Sequence, residues 1–134
     1  MQNFNHVLAR CWLVLGCASA AMAVALGAAG AHALKARLIA ANTQQWFETA
    51  LQDHQMHALG LLLVGVLALW RPKQKLVHIS GAFMLVGMVL FCGLLYLRSL
   101  SDVLAWHGLI PMGGAALITS WVLLGIAAWK LPDA

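Results

Sequence analysis

Four stretches of this chain are each apolar enough and long enough to cross a lipid bilayer, and they take up most of its 134 residues. An α-helix needs about 20 residues to cross the hydrocarbon core of a membrane. Water does not reach backbone N–H and C=O groups at that depth, so a crossing segment must satisfy them within a helix. We therefore predict an all-α, integral membrane four-helix bundle that forms a single domain over residues 1–134, with spans at about 11–33, 47–70, 76–98 and 108–130.

The composition excludes most other classes of protein. Hydrophobic residues make up 63% of the chain and charged residues 9%, against about 45–50% and 25% in soluble domains. The formal net charge of +4 is small and scattered, so no nucleic-acid partner is expected. The first apolar stretch exceeds the 7–15 residues of a signal-peptide core, and we expect it to be retained. The expected partners are membrane lipids and either further copies of the chain or a larger membrane complex.

The positions of lysine and arginine predict the orientation across the membrane. Cytoplasmic loops carry an excess of these residues. With the amino terminus inside, five basic residues are cytoplasmic and three are external. We therefore predict a multi-pass protein of the bacterial inner membrane with both termini in the cytoplasm. The cytoplasmic set is Arg10, Arg71, Lys73, Lys75 and Lys130, and the external set is Lys35, Arg37 and Arg98.

The connection from about residue 33 to residue 56 is the longest one outside the spans. Asn42 and Thr43 are both good helix caps, and Asn42 with Gln45 matches a capping box, which predicts that a helix begins there. The residues that follow mix aromatic and polar side chains, which is typical of a short interfacial helix. A start near Phe47 also gives the second span enough length to cross, so we expect this helix to bend into that span or to continue as it.

Small residues recur in the first span at alternating steps of four and three and share one face of the helix. Such faces let helix backbones approach closely in lipid. The stripe indicates either packing within the bundle or a homo-oligomer interface. Pro111 is expected in the first turn of the fourth span, where proline is favoured. The predicted packing residues are Gly16, Ala20, Ala23, Gly27 and Gly30 in the first span, and Gly93, Gly113 and Gly114 in the later spans.

Histidines accumulate at the predicted external end of the bundle. Asp53 and His57 are four residues apart, and His54 and His57 are three apart, so all three are expected on one side of a helix. A carboxylate beside an imidazole can orient it or support a metal ligand. The candidate ligand-binding residues are His32, His54, His57, His107, Glu48 and Asp53, and the four histidines are the candidate metal ligands.

Three interpretations of these polar residues remain open. They are hydrated groups at headgroup level, or a transition-metal or haem site, or part of a polar path for protons or a small solute in an oligomer. Imidazole suits zinc, copper and iron, but the sequence contains no compact motif such as HExxH. The middle of each span is almost entirely apolar, which argues against a channel in the monomer.

Several motifs in these segments match one protein family. They are Gly27 to Lys35, Phe47 to Leu59, Gly87 to Leu97, and Pro111 to Gly114 followed by Ser120 and Trp121. In these motifs the chain resembles the YgdD-like family of small bacterial and mitochondrial membrane proteins of unknown function. The resemblance implies a four-helix inner-membrane protein with no established activity. The positions that match its pattern are Gly27, Gly30, His32, Glu48, Thr49, His57, Gly93, Tyr96, Pro111, Gly113, Gly114 and Trp121, whereas His54 and His107 lie outside it.

The resulting functional expectation is a non-enzymatic accessory or scaffold protein that packs with itself or with a larger membrane complex. The alternatives are a protein that binds a metal, haem or a lipid headgroup through its external histidines, or a small-solute or proton permease formed by an oligomer. We predict no catalytic residues, because no nucleophile–base pair, phosphate loop or pair of carboxylates is evident. The sequence requires no cofactor, and the identity of a metal or haem group stays open.

Overall fold

Helices make up all the regular structure in the described chain, which comprises residues 2–101 and 108–130 of a computed structural model, with side chains from residue 5 onward. Four helical stretches are long and apolar enough to cross a membrane: Asn5–Ala31, Gln44–Trp70, Lys75–Leu100 and Leu109–Trp129. The predicted all-α, four-span fold is confirmed. The helices are α1 (Gln2–Ala31), α2 (Lys35–Ala40), α3 (Gln44–Trp70), α4 (Lys75–Met88), a π-helical segment (Val89–Gly93), α5 (Leu94–Leu100) and α6 (Leu109–Trp129). We call the continuous stretch Lys75–Leu100 the third span.

The second span begins earlier than its apolar core suggests. α3 runs unbroken from Gln44 to Trp70, so the expected continuation of the connection into the span is confirmed. The predicted capping box is wrong. Asn42 adopts a positive φ of 54°, a left-handed conformation that asparagine tolerates, and the N-cap residue is Thr43, without a side-chain capping bond. The hydroxyl of Thr43 instead donates to the carbonyl of Ser99 at 2.8 Å.

The short helix that precedes the second span is α2, upstream of the predicted position. Its Leu38 side chain is buried, with 1% exposed, and the guanidinium of Arg37 donates to the carbonyl of Leu100. These contacts hold α2 against the end of the third span.

Glycines bring α1 and α3 into direct backbone contact. A methyl group added at Gly16 would lie 2.9 Å from the backbone nitrogen of Leu62, and one added at Gly65 would lie 2.9 Å from that of Leu13. The two glycines therefore form reciprocal sides of one crossing. The small-residue stripe of α1 faces α3 along its length: Ala23 is 1% exposed, Ala20 packs against the core, and Gly27 and Gly30 lie against Leu51 and Phe47.

The third and fourth spans form a second close pair. A methyl group at Gly113 would lie 2.5 Å from the backbone nitrogen of Phe91, and Gly114 lies against the ring of the same residue. The hydroxyl of Ser80 donates to the carbonyl of Ser120 at 2.8 Å. Pro111 is the third residue of α6, in the first turn as predicted. Gly93 does not pack as predicted, because a methyl group there would meet no atom of the described residues within 4 Å.

A tryptophan–histidine contact joins α1 to α4. Trp12, buried with 7% exposed, donates from Nε1 to Nδ1 of His78 at 3.1 Å. Since Nδ1 accepts, the neutral ring carries its proton on Nε2, which lies 3.1 Å from the carbonyl of Pro72 and donates to it. The histidine thus links α1 to the turn between α3 and α4.

Candidate functional site

Among the described residues, His54 is one of two buried histidines of the candidate set. Only 3% of this residue is exposed. Its Nε2 lies 2.9 Å from Oγ of Ser19 on α1, and its Nδ1 lies 3.3 Å from the hydroxyl of Tyr96 on α5. The rings of His54 and Tyr96 meet edge to face, with centroids 6.0 Å apart. Three spans therefore contribute one side chain each to a continuous hydrogen-bonded chain, which we call the Ser19–His54–Tyr96 chain.

Ser19 and His54 lie near the middle of their helices, and not at a helix end where the sequence placed His54, whereas Tyr96 lies four residues before the end of the third span. Because α3 begins at Gln44, His54 is ten residues into a helix of 27, roughly 5 Å from its middle at 1.5 Å per residue. Ser19 lies fourteen residues after the start and twelve before the end of the span Asn5–Ala31, which is close to its centre. The expectation that the centre of the spans is almost entirely apolar is corrected here.

An elongated groove of about 470 Å³ runs between α1 and the third span. Leu15, Met22 and Leu26 of α1 line one wall, and Leu85, Val89 and Gly93 line the other. Ser19, His54 and Tyr96 also line it and supply nearly all of its polarity, and Cys92 adds a buried thiol. Pockets of this size that are mostly apolar and carry a few convergent polar groups are the usual form of small-molecule sites.

The π-helical segment Val89–Gly93 shapes the wall of this groove opposite α1. Such segments insert into α-helices rarely and often occur at functional sites. Three of its five residues, Val89, Cys92 and Gly93, line the groove. Since a methyl group added at Gly93 would have no neighbour within 4 Å among the described residues, the missing side chain adds free space to the groove. The segment thus widens the cleft beside the Ser19–His54–Tyr96 chain.

His57 is three residues from His54 but belongs to a different part of the bundle. It is 2% exposed, and its ring packs against Trp121 of α6, with centroids 6.0 Å apart. Its Nδ1 donates to the backbone carbonyl of Asp53 at 2.6 Å. The expected Asp53–His57 contact is therefore made by the Asp53 backbone oxygen, so the interaction orients the ring without a charged partner.

The remaining candidates lie apart from the groove. His32 is exposed just after α1, Glu48 is exposed and accepts a hydrogen bond from Gln44 at 2.7 Å, and Asp53 is half-buried. His107 lies outside the described residues. Within residues 2–101 and 108–130, no group of three or more His, Cys, Asp or Glu side chains is placed to hold a metal ion. A metal site that includes His107 stays a prediction.

Sequence reasoning missed Ser19, and it did not connect Tyr96 with His54. Both carry a visible signal. Ser19 is a hydroxyl near the middle of an apolar span, and Tyr96 is the single tyrosine of the chain. What the sequence does not contain is their pairing, because Ser19 and His54 are 35 positions apart and on different helices.

Comparison with known proteins identifies relatives across most of the chain. Residues 26–114 match the family described as "Protein of unknown function (DUF423)". The chain is 39% identical to the UPF0382 membrane protein YwdK of Bacillus subtilis, over 89% of the chain and 96% of the relative. It is 34% identical to the UPF0382 inner membrane protein YgdD of Escherichia coli K12, over 91% of the chain and 92% of the relative. No solved structure matches the chain.

Proposed function

Given that this chain belongs to the DUF423 family, whose named relatives are UPF0382 membrane proteins, we propose that it is a non-enzymatic binding protein of the inner membrane. Its ligand is a lipid-soluble molecule held in the groove between α1 and the third span. The observation that carries this proposal is a three-helix polar chain, Ser19–His54–Tyr96, on the wall of an otherwise apolar groove.

The cost of burying polar side chains at this depth supports a binding role. Polar groups inside a membrane are expensive and are a functional hypothesis by default. The rim of the groove is also accessible from the bilayer, because Met22 and Val89 are 55% and 62% exposed. A lipid-soluble molecule can therefore reach the groove laterally, without passing through water.

A photoreactive alkyl probe tests this proposal. The protein is placed in lipid nanodiscs with a decyl chain that carries a diazirine, irradiated, and digested for mass spectrometry. A probe inside the groove labels Cys92, which is 2% exposed, whereas a probe in bulk lipid labels outward residues such as Val122, which is 55% exposed. We expect saturable labelling at Cys92 and unsaturable labelling at Val122.

Two glycine variants provide the matched control. A methyl group added at Gly93 or at Gly125 would meet no atom of the described residues within 4 Å, but of the two only Gly93 lines the groove. Gly93→Leu fills the groove and should abolish labelling at Cys92, while Gly125→Leu should leave it unchanged. The proposal is contradicted if Cys92 is not labelled in the wild type. It is also contradicted if Cys92 is labelled equally in Gly93→Leu and Gly125→Leu.

A second candidate function is that of an accessory protein that packs with itself or with a larger membrane complex. The outward face of α1 supports it. Only 17% of the most apolar 18-residue stretch of α1 is buried, against 44% for α3. The exposed face opposite α3 carries alanines at steps of three and four, a pattern that favours helix association in lipid. These residues are Ala18, Ala21, Ala25 and Ala28.

Subunit counting distinguishes this second candidate. Ala21→Leu with Ala25→Leu should reduce an oligomer to a monomer or release a co-purifying subunit, without loss of stability. Ala115→Leu, at an exposed position of α6, is the control. Ala23→Leu should instead destabilise the fold, because Ala23 is buried. A wild-type protein that is monomeric and without partners in nanodiscs and in several mild detergents contradicts the accessory role. In either function we propose that both termini are cytoplasmic, as the lysine and arginine distribution indicates.

A further inference from the structure

We infer that the groove selects a neutral, lipid-soluble carbonyl compound, of which a quinone with an alkyl tail is the representative class. This inference rests on the proposed groove-binding function and deepens it. It follows from the number of protons in the Ser19–His54–Tyr96 chain, from the charges around the groove, and from the depth of the polar groups.

The hydrogen-bonded chain has one more donor than its contacts use. Ser19 and Tyr96 each carry one O–H, and a neutral imidazole carries one N–H and one acceptor nitrogen. Three protons are therefore available for the two contacts His54–Ser19 and His54–Tyr96. If Nε2 of His54 carries the proton, Tyr96 donates to Nδ1 and the Ser19 proton is left over. If Nδ1 carries it, Ser19 donates to Nε2 and the Tyr96 proton is left over.

In both tautomers the surplus proton belongs to a hydroxyl that lines the groove. A buried donor without an acceptor costs free energy, so a ligand that supplies an acceptor gains from this arrangement. A carbonyl oxygen accepts and brings no proton of its own. An alcohol would add a further proton to a chain that already has a surplus, and therefore fits less well.

Charge and depth narrow the class of ligand further. Among the described residues, lysine and arginine are absent from the lining of the groove, so a carboxylate or a phosphate would be placed at hydrocarbon depth without a counter-charge. Tyr96 lies four residues before the end of the third span, but Ser19 lies near the centre of its span, some 15 Å from the ester carbonyls of phospholipids by the thickness of the hydrocarbon core. A ring carbonyl that is dissolved in the hydrocarbon itself can reach this depth.

Competition between two probes with the same tail tests the inference. The competitors for diazirine labelling at Cys92 are decylbenzene and a fully substituted benzoquinone with a decyl chain, whose ring does not add to thiols. One hydrogen bond is worth about 0.5–1.5 kcal/mol, or roughly a two- to twelvefold change in affinity. We expect the quinone to compete at a concentration lower by about this factor in the wild type.

Each hydroxyl that is removed takes away one proton and one contact, so the surplus persists until the imidazole is removed as well. The triple variant Ser19→Ala, His54→Leu and Tyr96→Phe removes every donor of the chain and should make the two competitors equal, with decylbenzene unchanged. Tyr96→Phe retains the ring that meets Phe47 edge to face at 5.1 Å and leaves two protons for one contact, so it should keep the preference for the quinone. This single variant provides a second measurement if the triple variant is unstable, and loss of the preference in it would contradict the proton count. Ser101→Ala, at an exposed serine, is the control. If Cys92 is labelled but both competitors are equal in the wild type, the carbonyl inference is wrong while groove binding stands. If Cys92 is not labelled at all, groove binding itself is wrong.

Discussion

Gly113 of α6 packs directly on the backbone of Phe91, at a point where an added methyl group would lie 2.5 Å from its nitrogen. Phe91 belongs to the π-helical segment, so the contact fixes the fourth span against the part of the third span that shapes the groove. The atoms opposite Gly113 are mostly backbone, and backbone moves less readily than the end of a side chain.

Gly113→Ala should therefore destabilise the bundle by about 1–3 kcal/mol, the usual cost of overpacking. Gly125→Ala on the same helix is the matched control, because no atom in the described part of the chain lies within 4 Å of the added methyl group. The free energy of unfolding can be measured by steric trapping in bicelles. Equal stability of the two variants would show that α6 does not approach the third span as closely as described.

Ser80→Ala should have a smaller effect than Gly113→Ala. Its hydroxyl donates to the carbonyl of Ser120 at 2.8 Å, with both residues fully buried, and interhelical hydrogen bonds in membranes contribute about 0.6 kcal/mol on average. Replacement by alanine leaves no clash and only a small void. We expect a loss of about 0.5–1.5 kcal/mol, and no loss for the exposed Ser101→Ala. A loss above that of Gly113→Ala would contradict this ranking.

His57→Ala and His32→Ala should separate a structural histidine from an exposed one. His57 is buried against Trp121, so its removal leaves a cavity and should cost about 2–4 kcal/mol. His32 is exposed, and its replacement should change the stability by less than about 0.5 kcal/mol. The free energy of unfolding is measured with and without a chelator. If a chelator destabilises the wild type but not one of the two variants, that result supports the predicted histidine metal site.

The orientation can be tested with fusions to alkaline phosphatase and green fluorescent protein. A fusion at the chain's end and one in the turn at Lys73 should both report the cytoplasm, while one in the connection near Lys35 should report the opposite side. The physical reason is the five-to-three excess of basic residues on the proposed inner face. Opposite signals from Lys73 and the chain's end would overturn the proposed arrangement.

Apolar run length predicted the number of spans because the bilayer imposes that length on any sequence. The same reasoning correctly extended the second span through Phe47, and the preference of proline for a first turn correctly placed Pro111. Local rules were less reliable in the turn after α2. Asn42 is a good capping residue by type, but there it serves as a left-handed turn residue, and side-chain type alone does not distinguish these two roles.

The predicted span 47–70 already contains His54, but the apolar pattern alone does not place it inside the membrane. An apolar core from about residue 57 onward places His54 near the surface, whereas the continuous helix from Gln44 carries it inward. Its partners depend on how α1 and the third span are rotated about their axes. The small-residue stripe of α1 fixes the rotation of α1, because turning this stripe toward α3 places Ser19 beside the contact between the two helices. No local sequence pattern predicts the π-helical segment on the other wall of the groove.

Two helix crossings place glycines against the backbone of the partner helix, at Gly16 and Gly65 between α1 and α3 and at Gly113 between α6 and the third span, and both join spans that follow one another in the chain. Each pair is therefore a helical hairpin whose contacts do not require the other hairpin to be present. As synthesis proceeds, the first hairpin can close before the second has entered the bilayer, with only short-range loop closure at each step. The groove, by contrast, has walls from both hairpins, so it forms only when the two hairpins dock against each other. A molecule bound in the groove would therefore report that assembly is complete.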